Sequence, residues 1–410
     1  MAYFVIGLLL LVYIVETIVS TLNHQMRKKP VPELALGIYD EEKYQTWLNY
    51  SLDTHQFSQV QRGVSLLLML SFLVFGVFGW LASITSGWST SVILQTLYFL
   101  GIYALFTMII SIPFRYYQQF VIEARYGFNK TTKKTFITDY IKRLVLTFVF
   151  GGGIIAALHA IYLLAVDAQG GIWTFIGLAW LASALFMLIL FLFLNRLLIR
   201  LFNKVTPLPQ GELRDKIEAL AHQVGFNLKA LYVMDASKRS TKLNAFFTGV
   251  GKTKEVVLFD TLIEKMSTDE ILAVLAHELG HSVHKDVIRL LFQQFLILGL
   301  YVGLLGAVLS FESLHTAFGL SFVHVGFSVI LFMILISPIE LILGIPLNYL
   351  SRVAEYKADA FSASKTSKEA MRSALIVLYQ QNLSNLNPHR AAVLLYYSHP
   401  AVANRLGALQ

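Results

Sequence analysis

Long apolar stretches recur along the chain and alternate with polar connections. The stretches lie near residues 3–21, 64–86, 92–113, 144–166, 172–200, 287–310 and 323–349. A helix of about 20 apolar residues is long enough to cross the hydrocarbon core of a bilayer. The pattern therefore predicts a mainly α-helical, polytopic membrane protein with seven transmembrane helices.

Composition supports this class. Of the 410 residues, 56% are hydrophobic and only 14% are charged, which is too apolar for two or three soluble domains. Basic residues such as Arg27 follow the first stretch rather than precede it, so we expect a retained anchor rather than a signal peptide. Cysteine is absent, which excludes disulfides, a thiolate nucleophile and any cysteine-based metal site.

The distribution of basic residues indicates which connections lie on the cytoplasmic side of the membrane. Connections 87–91, 167–171 and 311–322 contain no Lys or Arg, whereas segments 22–63, 114–143, 201–286 and 350–410 contain nearly all of them. The positive-inside rule then places these four segments in the cytoplasm and the N-terminus outside or in a lumen. Because the net charge of +8 is explained in this way, we expect no binding to nucleic acid.

The chain is expected to divide into four parts. Residues 1–200 would hold the first five spans with loops 22–63 and 114–143. Residues 201–286 would form a cytoplasmic catalytic segment, and residues 287–349 the last two spans. Residues 350–410 would complete the catalytic site.

Segment 201–286 has a pattern of short elements. A helix is predicted over 211–225 and strands over 230–234, 243–248 and 255–259, with Gly249 and Gly251 suited to a hairpin between the last two. In zinc peptidases a strand at the edge of such a sheet pairs with the extended substrate backbone. The alternative is a small α+β cap with no such role.

The stretch His277-Glu278-Leu279-Gly280-His281 follows these strands. Ser267 and Glu270 form a capping-box pattern that predicts a helix here. Residues four apart share one face of a helix, so His277 and His281 can offer two imidazole nitrogens to one zinc ion. Glu278 is rotated by about 100° and would act as general base on a water molecule.

A catalytic zinc needs a third protein ligand, and Glu355 is the best candidate. Asp359, one turn further on, can accept the other N–H of a ligand imidazole. The alternative is a pair of solvated carboxylates on a helix surface. A third histidine six residues after His281 is excluded because Val287 occupies that position, and His284 lies too far along the helix axis.

Ionisable residues inside apolar stretches are costly and are functional candidates. Glu16, His159 and Glu340 fall in this group. Pro338 frees backbone groups close to Glu340, which suggests that this carboxylate faces a polar cavity. The roles of these three residues and of His284 stay open at this point.

Taken together, the chain resembles the type I CAAX prenyl protease family of integral-membrane zinc metallopeptidases. The resemblance rests on the His277–His281 motif and on the run from Ser351 to Phe361. It also rests on two C-terminal segments, Ser398-His399-Pro400 and Arg405-Leu406, on the Asn244-Ala245-Phe246 strand and on the loop 123–132. These features cover nearly the whole chain.

The resemblance implies that the seven helices enclose a water-filled chamber in the bilayer, with one zinc ion near its cytoplasmic side. It implies cleavage of a prenylated CAAX tail, in a protein or a peptide, directly after the modified cysteine. His399 and Arg405 would lie near the zinc, and Asn244, Ala245 and Phe246 would form the substrate-pairing strand. The membrane would be the endoplasmic reticulum in a eukaryote, or the inner or plasma membrane in a bacterium.

Three alternatives compete with this interpretation. A quality-control protease for misfolded or stalled membrane proteins would use the same site. A site-2-type intramembrane protease would need a Leu-Asp-Gly motif, which the chain lacks. A transporter or lipid-binding protein would show an internal inverted repeat or paired half-helices, and none is evident.

Overall fold

The computed structural model describes residues 1–226, 228–248 and 255–410. These residues form 18 α-helices and one four-stranded sheet. In chain order the helices are α1 (Ala2–Gln25), α2 (Glu41–Val74), α3 (Val77–Ser86), α4 (Val92–Tyr117), α5 (Glu123–Arg125), α6 (Lys133–Leu146), α7 (Gly152–Asp167), α8 (Gly171–Ile189), α9 (Asn195–Phe202), α10 (Glu212–Gln223), α11 (Asp260–Lys265), α12 (Thr268–Val283), α13 (Asp286–Ser310), α14 (Glu312–Thr316), α15 (Val325–Lys365), α16 (Lys368–Gln381), α17 (Arg390–Tyr396) and α18 (Val402–Ala408).

Seven helical segments among the described residues are long and apolar enough to cross a membrane, which confirms the predicted number. They are built on α1, α2, α4, α6 with α7, α8, α13 and α15. A π-helical turn, Thr147–Gly151, joins α6 to α7, and two others follow α4 and α8 at Gln118–Ile122 and Leu190–Leu194. Such turns keep a helix continuous while they shift its register.

The second span differs from the prediction. A single helix over 64–86 was expected, but α2 begins at Glu41, where the Asp40 side chain caps it by accepting a hydrogen bond from Lys43 N at 2.7 Å. Gly76 then adopts a left-handed conformation with φ +67°, and α3 starts anew behind it. The apolar stretch is therefore broken because glycine takes this backbone conformation without steric cost.

The seventh span is one continuous helix of 41 residues, Val325–Lys365, despite Pro338 and Pro346 inside it. It extends 16 residues beyond residue 349, where the last two predicted parts were divided. The same helix thus passes from the apolar region into the part of the protein that carries Glu355.

The spanning helices pack loosely along most of their length. Only 6% to 28% of each apolar window is buried, with α15 the most buried. Buried aromatic rings concentrate in one cluster around Phe78, Phe99 and Phe327. Most residues of these helices are therefore accessible, as expected for a surface that contacts lipid.

The sheet lies outside the apolar helices. Its strands are β1 (Val205–Pro207), β2 (Ala230–Met234), β3 (Ala245–Thr248) and β4 (Glu255–Phe259), in the order β1-β2-β4-β3. β2 and β4 are parallel and the other pairs antiparallel. The three predicted strands and the helix over 211–225, here α10, are confirmed, whereas β1 was not predicted. Gly249 and Gly251 lie outside the described residues.

One hydrophobic core joins segments that are distant in sequence. It contains Trp47 at the start of α2, Leu258 of β4, Leu275 of α12, Leu375 of α16 and Leu406 of α18. Burial of large apolar side chains is the main favourable contribution to folding. The loop after α1, the sheet and the C-terminal helices are therefore held as one body around α12.

The loop 123–132 packs beside the start of β3. Lys130 N donates to the Arg239 carbonyl at 3.0 Å, and Thr241 N donates to the Phe128 carbonyl at 3.3 Å. These backbone bonds hold the segment that leads into β3, so the loop helps to position that strand.

Candidate metal centre

The helix α12 carries the histidine pair, and its ends are set as the sequence predicts. Ser267 Oγ accepts a hydrogen bond from Glu270 N at 3.4 Å, and Glu270 Oε2 accepts one from Ser267 N at 2.8 Å. The two bonds complete a capping box. Ile271, Leu275 and Leu279 are buried on this helix, which fixes the face from which the two histidines project.

Close packing of α12 on α15 brings Glu355 and Asp359 to the two histidines. A Cβ atom at Gly280 would lie 3.1 Å from Ala358 Cα and 3.3 Å from Phe361 Cβ. Ser362 Oγ donates to the Ala273 carbonyl at 2.7 Å across the same seam. Gly280 is therefore needed because only its missing side chain allows the two backbones this approach.

Three potential ligand atoms converge at this seam. His277 Nε2 and His281 Nε2 are 3.2 Å apart, and each lies 3.4 Å from an oxygen of Glu355. Bonds of about 2.0–2.1 Å to a tetrahedral ion place its ligands ~3.3 Å from one another. The observed separations match that value, and Glu355 Oε2 is buried without a hydrogen-bond partner. The three residues therefore fit a bound metal ion.

Each histidine also meets a carboxylate on its other nitrogen. His277 Nδ1 lies 2.8 Å from Asp359 Oδ1, and His281 Nδ1 lies 2.9 Å from Asp286 Oδ2. Such partners orient a ligand imidazole and raise its basicity. Asp359 was predicted from the sequence as such a partner. Asp286, at the start of the next helix and five residues after His281, was not.

The environment of His277 changes its proton affinity. Burial alone lowers the pKa of this imidazole, but the contacts with Asp359 and Glu355 outweigh burial and raise the pKa to about 9. A proton and a metal ion compete for the same nitrogen. Asp359 and Glu355, which favour the protonated imidazole, would also favour a bound metal ion.

Arg405 is buried beside this pair, with 6% of its surface exposed. Its Nε and Nη2 donate to the two Asp359 oxygens at 2.8 and 2.6 Å, a bidentate arrangement. Nη2 also lies 3.5 Å from Glu355 Oε2. The guanidinium thus holds Asp359 in place as well as bordering the candidate ligand.

His399, from the C-terminal segment, lies beside Glu355. Its Nε2 lies 3.3 Å from Glu355 Oε1, and its Nδ1 lies 2.9 Å from Ser398 Oγ. The ring projects into a cavity, and 59% of the side-chain surface is accessible there. The enclosing walls still lower the pKa of the His399 imidazole because they displace bulk water.

Glu278 borders the same cavity rather than the metal-ligand cluster. Burial raises the pKa of its carboxyl, the charges of His277 and His281 lower it, and the Glu355 carboxylate adds to the increase. Its place next to the ligands, but outside them, suits a group that exchanges a proton with a molecule in the cavity.

Two of the three residues predicted for the substrate-pairing strand line the cavity, and the third does not. Asn244 and Ala245 line the cavity, whereas Phe246 contacts the Phe259 ring with 6.2 Å between centroids. Ala245 and Phe246 are neighbours on β3 and point to opposite faces of the strand, while Asn244 lies just before the strand begins. The structure thus brings two of the three predicted strand residues to the site.

β3 is at one edge of the sheet among the described strands. The Asn244 carbonyl accepts a hydrogen bond from Phe259 N at 3.2 Å, so Asn244 turns its backbone towards β4. Hydrogen-bonding direction alternates along a strand. The N–H and C=O of Ala245 therefore face the open edge.

The other polar residues considered from sequence lie elsewhere. The His284 ring packs on Phe361 at 5.9 Å between centroids, His159 is buried among the spanning helices, and Glu16 contributes its carbonyl to Arg62. Glu340 accepts a hydrogen bond from Tyr301 OH at 2.5 Å, linking α15 to α13. None belongs to the ligand cluster found among the described residues.

Three cavities adjoin one another through shared lining residues. The active-site cavity has about 600 Å³ and is lined by His277, Glu278 and Glu355. A larger polar cavity of about 820 Å³ lies between α2, α4 and α6. The basic side cavity, of about 260 Å³, shares Asn385 and Tyr397 with the first and Thr54 and Ser58 with the second. The metal centre therefore opens into a cavity that adjoins a second one lined by residues of α1 and α2.

Comparison with known proteins covers the whole chain. A family described as the CAAX prenyl protease N-terminal domain, with five membrane helices, matches residues 20–204, and peptidase family M48 matches residues 207–410. The chain is 35% identical to a protein of Oryza sativa subsp. japonica named CAAX prenyl protease 1 homolog, over 99% of this chain and 96% of that protein.

Two further similarities come from yeasts. The CAAX prenyl protease 1 of Saccharomyces cerevisiae is 36% identical over 78% of this chain and 73% of its own length. The crystal structure of S. mikatae Ste24p superimposes with a TM-score of 0.92 at 30% identity, covering 100% of this chain and 99% of that one.

Proposed function

The chain belongs to the M48 peptidase family, among the CAAX prenyl protease 1 homologues, and on that premise we propose that it is a zinc metalloendopeptidase for prenylated CAAX tails. Its membership and its seven apolar helices make it an integral multi-pass membrane metallopeptidase. The proposed reaction is hydrolysis of the peptide bond after the prenylated cysteine, which releases the aaX tripeptide. The observation that supports this proposal is the His277, His281 and Glu355 cluster, which borders a cavity that Asn244 and Ala245 also line.

We propose zinc as the metal, one ion per chain. Two imidazole nitrogens and one carboxylate oxygen are the ligand set of catalytic zinc in thermolysin-type enzymes. Magnesium and calcium prefer ligand sets made of oxygen alone. The absence of cysteine is consistent with this choice because His277, His281 and Glu355 supply the three donors by themselves.

Zinc, when bound, would polarise the scissile carbonyl and lower the pKa of a water molecule towards ~7. Glu278 would take a proton from the attacking water and deliver it to the nitrogen of the departing tripeptide. His399, whose ring projects into the cavity, would donate a hydrogen bond to the negative charge that develops on the carbonyl oxygen. Arg405 would stabilise that charge from behind Glu355 while it holds Asp359 against His277.

Substrate would bind along β3. Antiparallel pairing with an open strand edge satisfies the backbone groups of an extended peptide. The C=O of Ala245 faces that edge, and its N–H, which donates to Asn244 Oδ1 at 2.9 Å, would exchange this partner for the peptide. Asn244 would add side-chain hydrogen bonds. Phe246 supports the strand from its other face through its contact with Phe259.

The proposed orientation follows from the basic residues. Segments 22–63, 114–143, 201–286 and 350–410, which carry most Lys and Arg, would lie in the cytoplasm with the metal centre. The N-terminus would lie outside or in the lumen. In a eukaryote the membrane would be the endoplasmic reticulum, and in a bacterium the inner or plasma membrane.

The test is cleavage of a farnesylated CAAX peptide by the purified full chain in detergent. Cleavage after the farnesyl-cysteine is expected, with about a 10²–10⁴-fold loss of rate in Glu278→Gln, as for removal of a general base. Glu278→Gln should keep stoichiometric zinc, and a chelator should stop the unaltered enzyme. Cleavage of an unlipidated unfolded protein, with none of the farnesylated peptide, would refute prenyl specificity and favour the quality-control alternative.

A further inference from the structure

The basic side cavity lies directly beside the metal centre. Tyr397, in the wall shared by the two cavities, is two residues from His399, whose ring lies 3.3 Å from Glu355. Two residues of extended chain span about 7 Å. A peptide whose scissile bond lies at the metal centre can therefore reach the side cavity within a few residues.

The described side chains that line this cavity include two guanidinium groups and no carboxylate. Arg27 and Arg62 line it, together with the imidazoles of His24 and His55 and with hydroxyl and amide groups of Ser, Thr, Tyr and Asn residues. None of these lining residues is Asp or Glu. Its electrostatic potential therefore favours an anion.

The larger polar cavity differs in this respect. There Arg239 Nε lies 2.9 Å from Asp139 Oδ2, and Lys242 Nζ lies 3.3 Å from Glu123 Oε2. These pairs already satisfy two of its cations. The side cavity has no such internal compensation among its described lining residues.

Two imidazole rings in the side-cavity wall hold each other in place. The His24 and His55 rings stack with 4.2 Å between centroids and 9° between planes. The orientation of their nitrogens is therefore fixed before a ligand binds.

The direction of the bound peptide leads to this cavity. In antiparallel pairing with β3, the C-terminal part of the peptide runs past the start of the strand. There Leu243 N donates to Asn382 Oδ1 at 3.0 Å, and the chain continues from Asn382 to Asn385 in the shared wall. An aaX tail of three extended residues spans about 10 Å.

We propose that the basic side cavity binds the C-terminal carboxylate of the substrate. The inference rests on the proposed function, since it names the chemistry by which that site recognises the end of the tail. Arg27 and Arg62 supply the charge, and the hydroxyl and imidazole groups supply directional hydrogen bonds. A cavity of this kind recognises the end of a chain through its α-carboxylate.

The experiment compares two farnesylated CAAX peptides that differ only in a free carboxylate or a C-terminal amide. The unaltered enzyme should prefer the acid by about 10- to 100-fold in kcat/KM, the range for hydrogen bonds to a charged group. Arg27→Gln/Arg62→Gln should reduce this ratio to below about 3, whereas Arg27→Lys/Arg62→Lys should keep a larger part of it.

The matched control is Arg115→Gln/Arg143→Gln, which removes two cations from the larger polar cavity. It should leave the acid-to-amide ratio unchanged, and a collapse of the ratio there would refute the assignment. A second measurement uses the unaltered enzyme with aaX tripeptides as inhibitors, and the acid should inhibit at least about 10-fold more strongly than the amide.

The outcomes separate this inference from the proposed function. Equal cleavage of acid and amide, or equal inhibition by the two tripeptides, would overturn carboxylate recognition while prenyl cleavage still held. No cleavage of either farnesylated peptide by the unaltered enzyme would refute the proposed function, and the inference with it.

Discussion

Asp359→Asn tests the buried contacts that link the metal centre to Arg405. Asp359 is 1% exposed, lies 2.8 Å from His277 Nδ1 and receives two hydrogen bonds from Arg405. Asparagine keeps the shape of this side chain and removes its charge. The buried guanidinium then loses its bidentate partner, and His277 loses the carboxylate that orients it.

Two losses are expected, each with its own magnitude. Removal of one partner from a buried ion pair costs roughly 3–5 kcal/mol, and Glu355 at 3.5 Å from Arg405 compensates in part, which favours the lower end. Loss of a carboxylate behind a ligand histidine weakens metal binding about 10- to 100-fold. Asp359→Asn/Arg405→Gln should recover part of the stability, because no buried charge is then left alone, but not the metal affinity.

The measurements are urea unfolding in detergent and competition for zinc against a chromophoric chelator. Glu264→Gln is the control, because its exposed pair with Lys265 should contribute within about 0.5 kcal/mol. An Asp359→Asn protein with unaltered zinc affinity and unaltered unfolding would refute the reasoning. A double variant that is less stable than the sum of the single variants would refute the ion-pair account alone.

Two further predictions concern the seam between α12 and α15 and the open edge of β3. Gly280→Ala gains up to about 1 kcal/mol of helix propensity, but its Cβ must displace Ala358 from 3.1 Å. Overpacking costs about 1–3 kcal/mol, so we expect net destabilisation and lower zinc occupancy, and full occupancy at unchanged stability would contradict this. Ala245→Pro removes an N–H that donates to Asn244 Oδ1 rather than to β4, so the sheet ladder stays intact. We expect kcat/KM for the farnesylated peptide to fall roughly 10-fold with zinc content unaltered, and an unaltered kcat/KM would exclude strand pairing at this residue.

The parts of the fold that sequence predicted are those set by local chemistry. Apolar length alone identified seven spans because a bilayer demands it, and a capping box located the start of α12 because its bonds lie within four residues. Helical spacing also brought out Glu355 and Asp359 as a pair on one face, and the structure brings both of them to the histidines.

The parts that sequence did not predict depend on contacts between distant residues. The strand β1 has only three residues and exists because β2 pairs with it. Asp286 faces His281 because the chain turns between α12 and α13, and hydropathy does not encode that turn. Arg405 matched a family motif, but its bidentate bond to Asp359 spans 46 residues. The break at Gly76 was missed because an apolar stretch conceals a single left-handed glycine.

Because α15 is one unbroken helix, a small tilt within the membrane displaces Glu355 at its far end. From Pro338 to Glu355 it covers 17 residues, or about 25 Å at 1.5 Å per residue. A tilt of ~5° at the proline would displace the carboxylate by ~2 Å, about one metal–ligand bond length. Bilayer thickness tilts transmembrane helices, so the alignment of the metal centre depends on the clamp formed by Gly280 and by the Ser362–Ala273 bond. Lipids that change the thickness of the membrane would act on this enzyme mechanically, through that clamp.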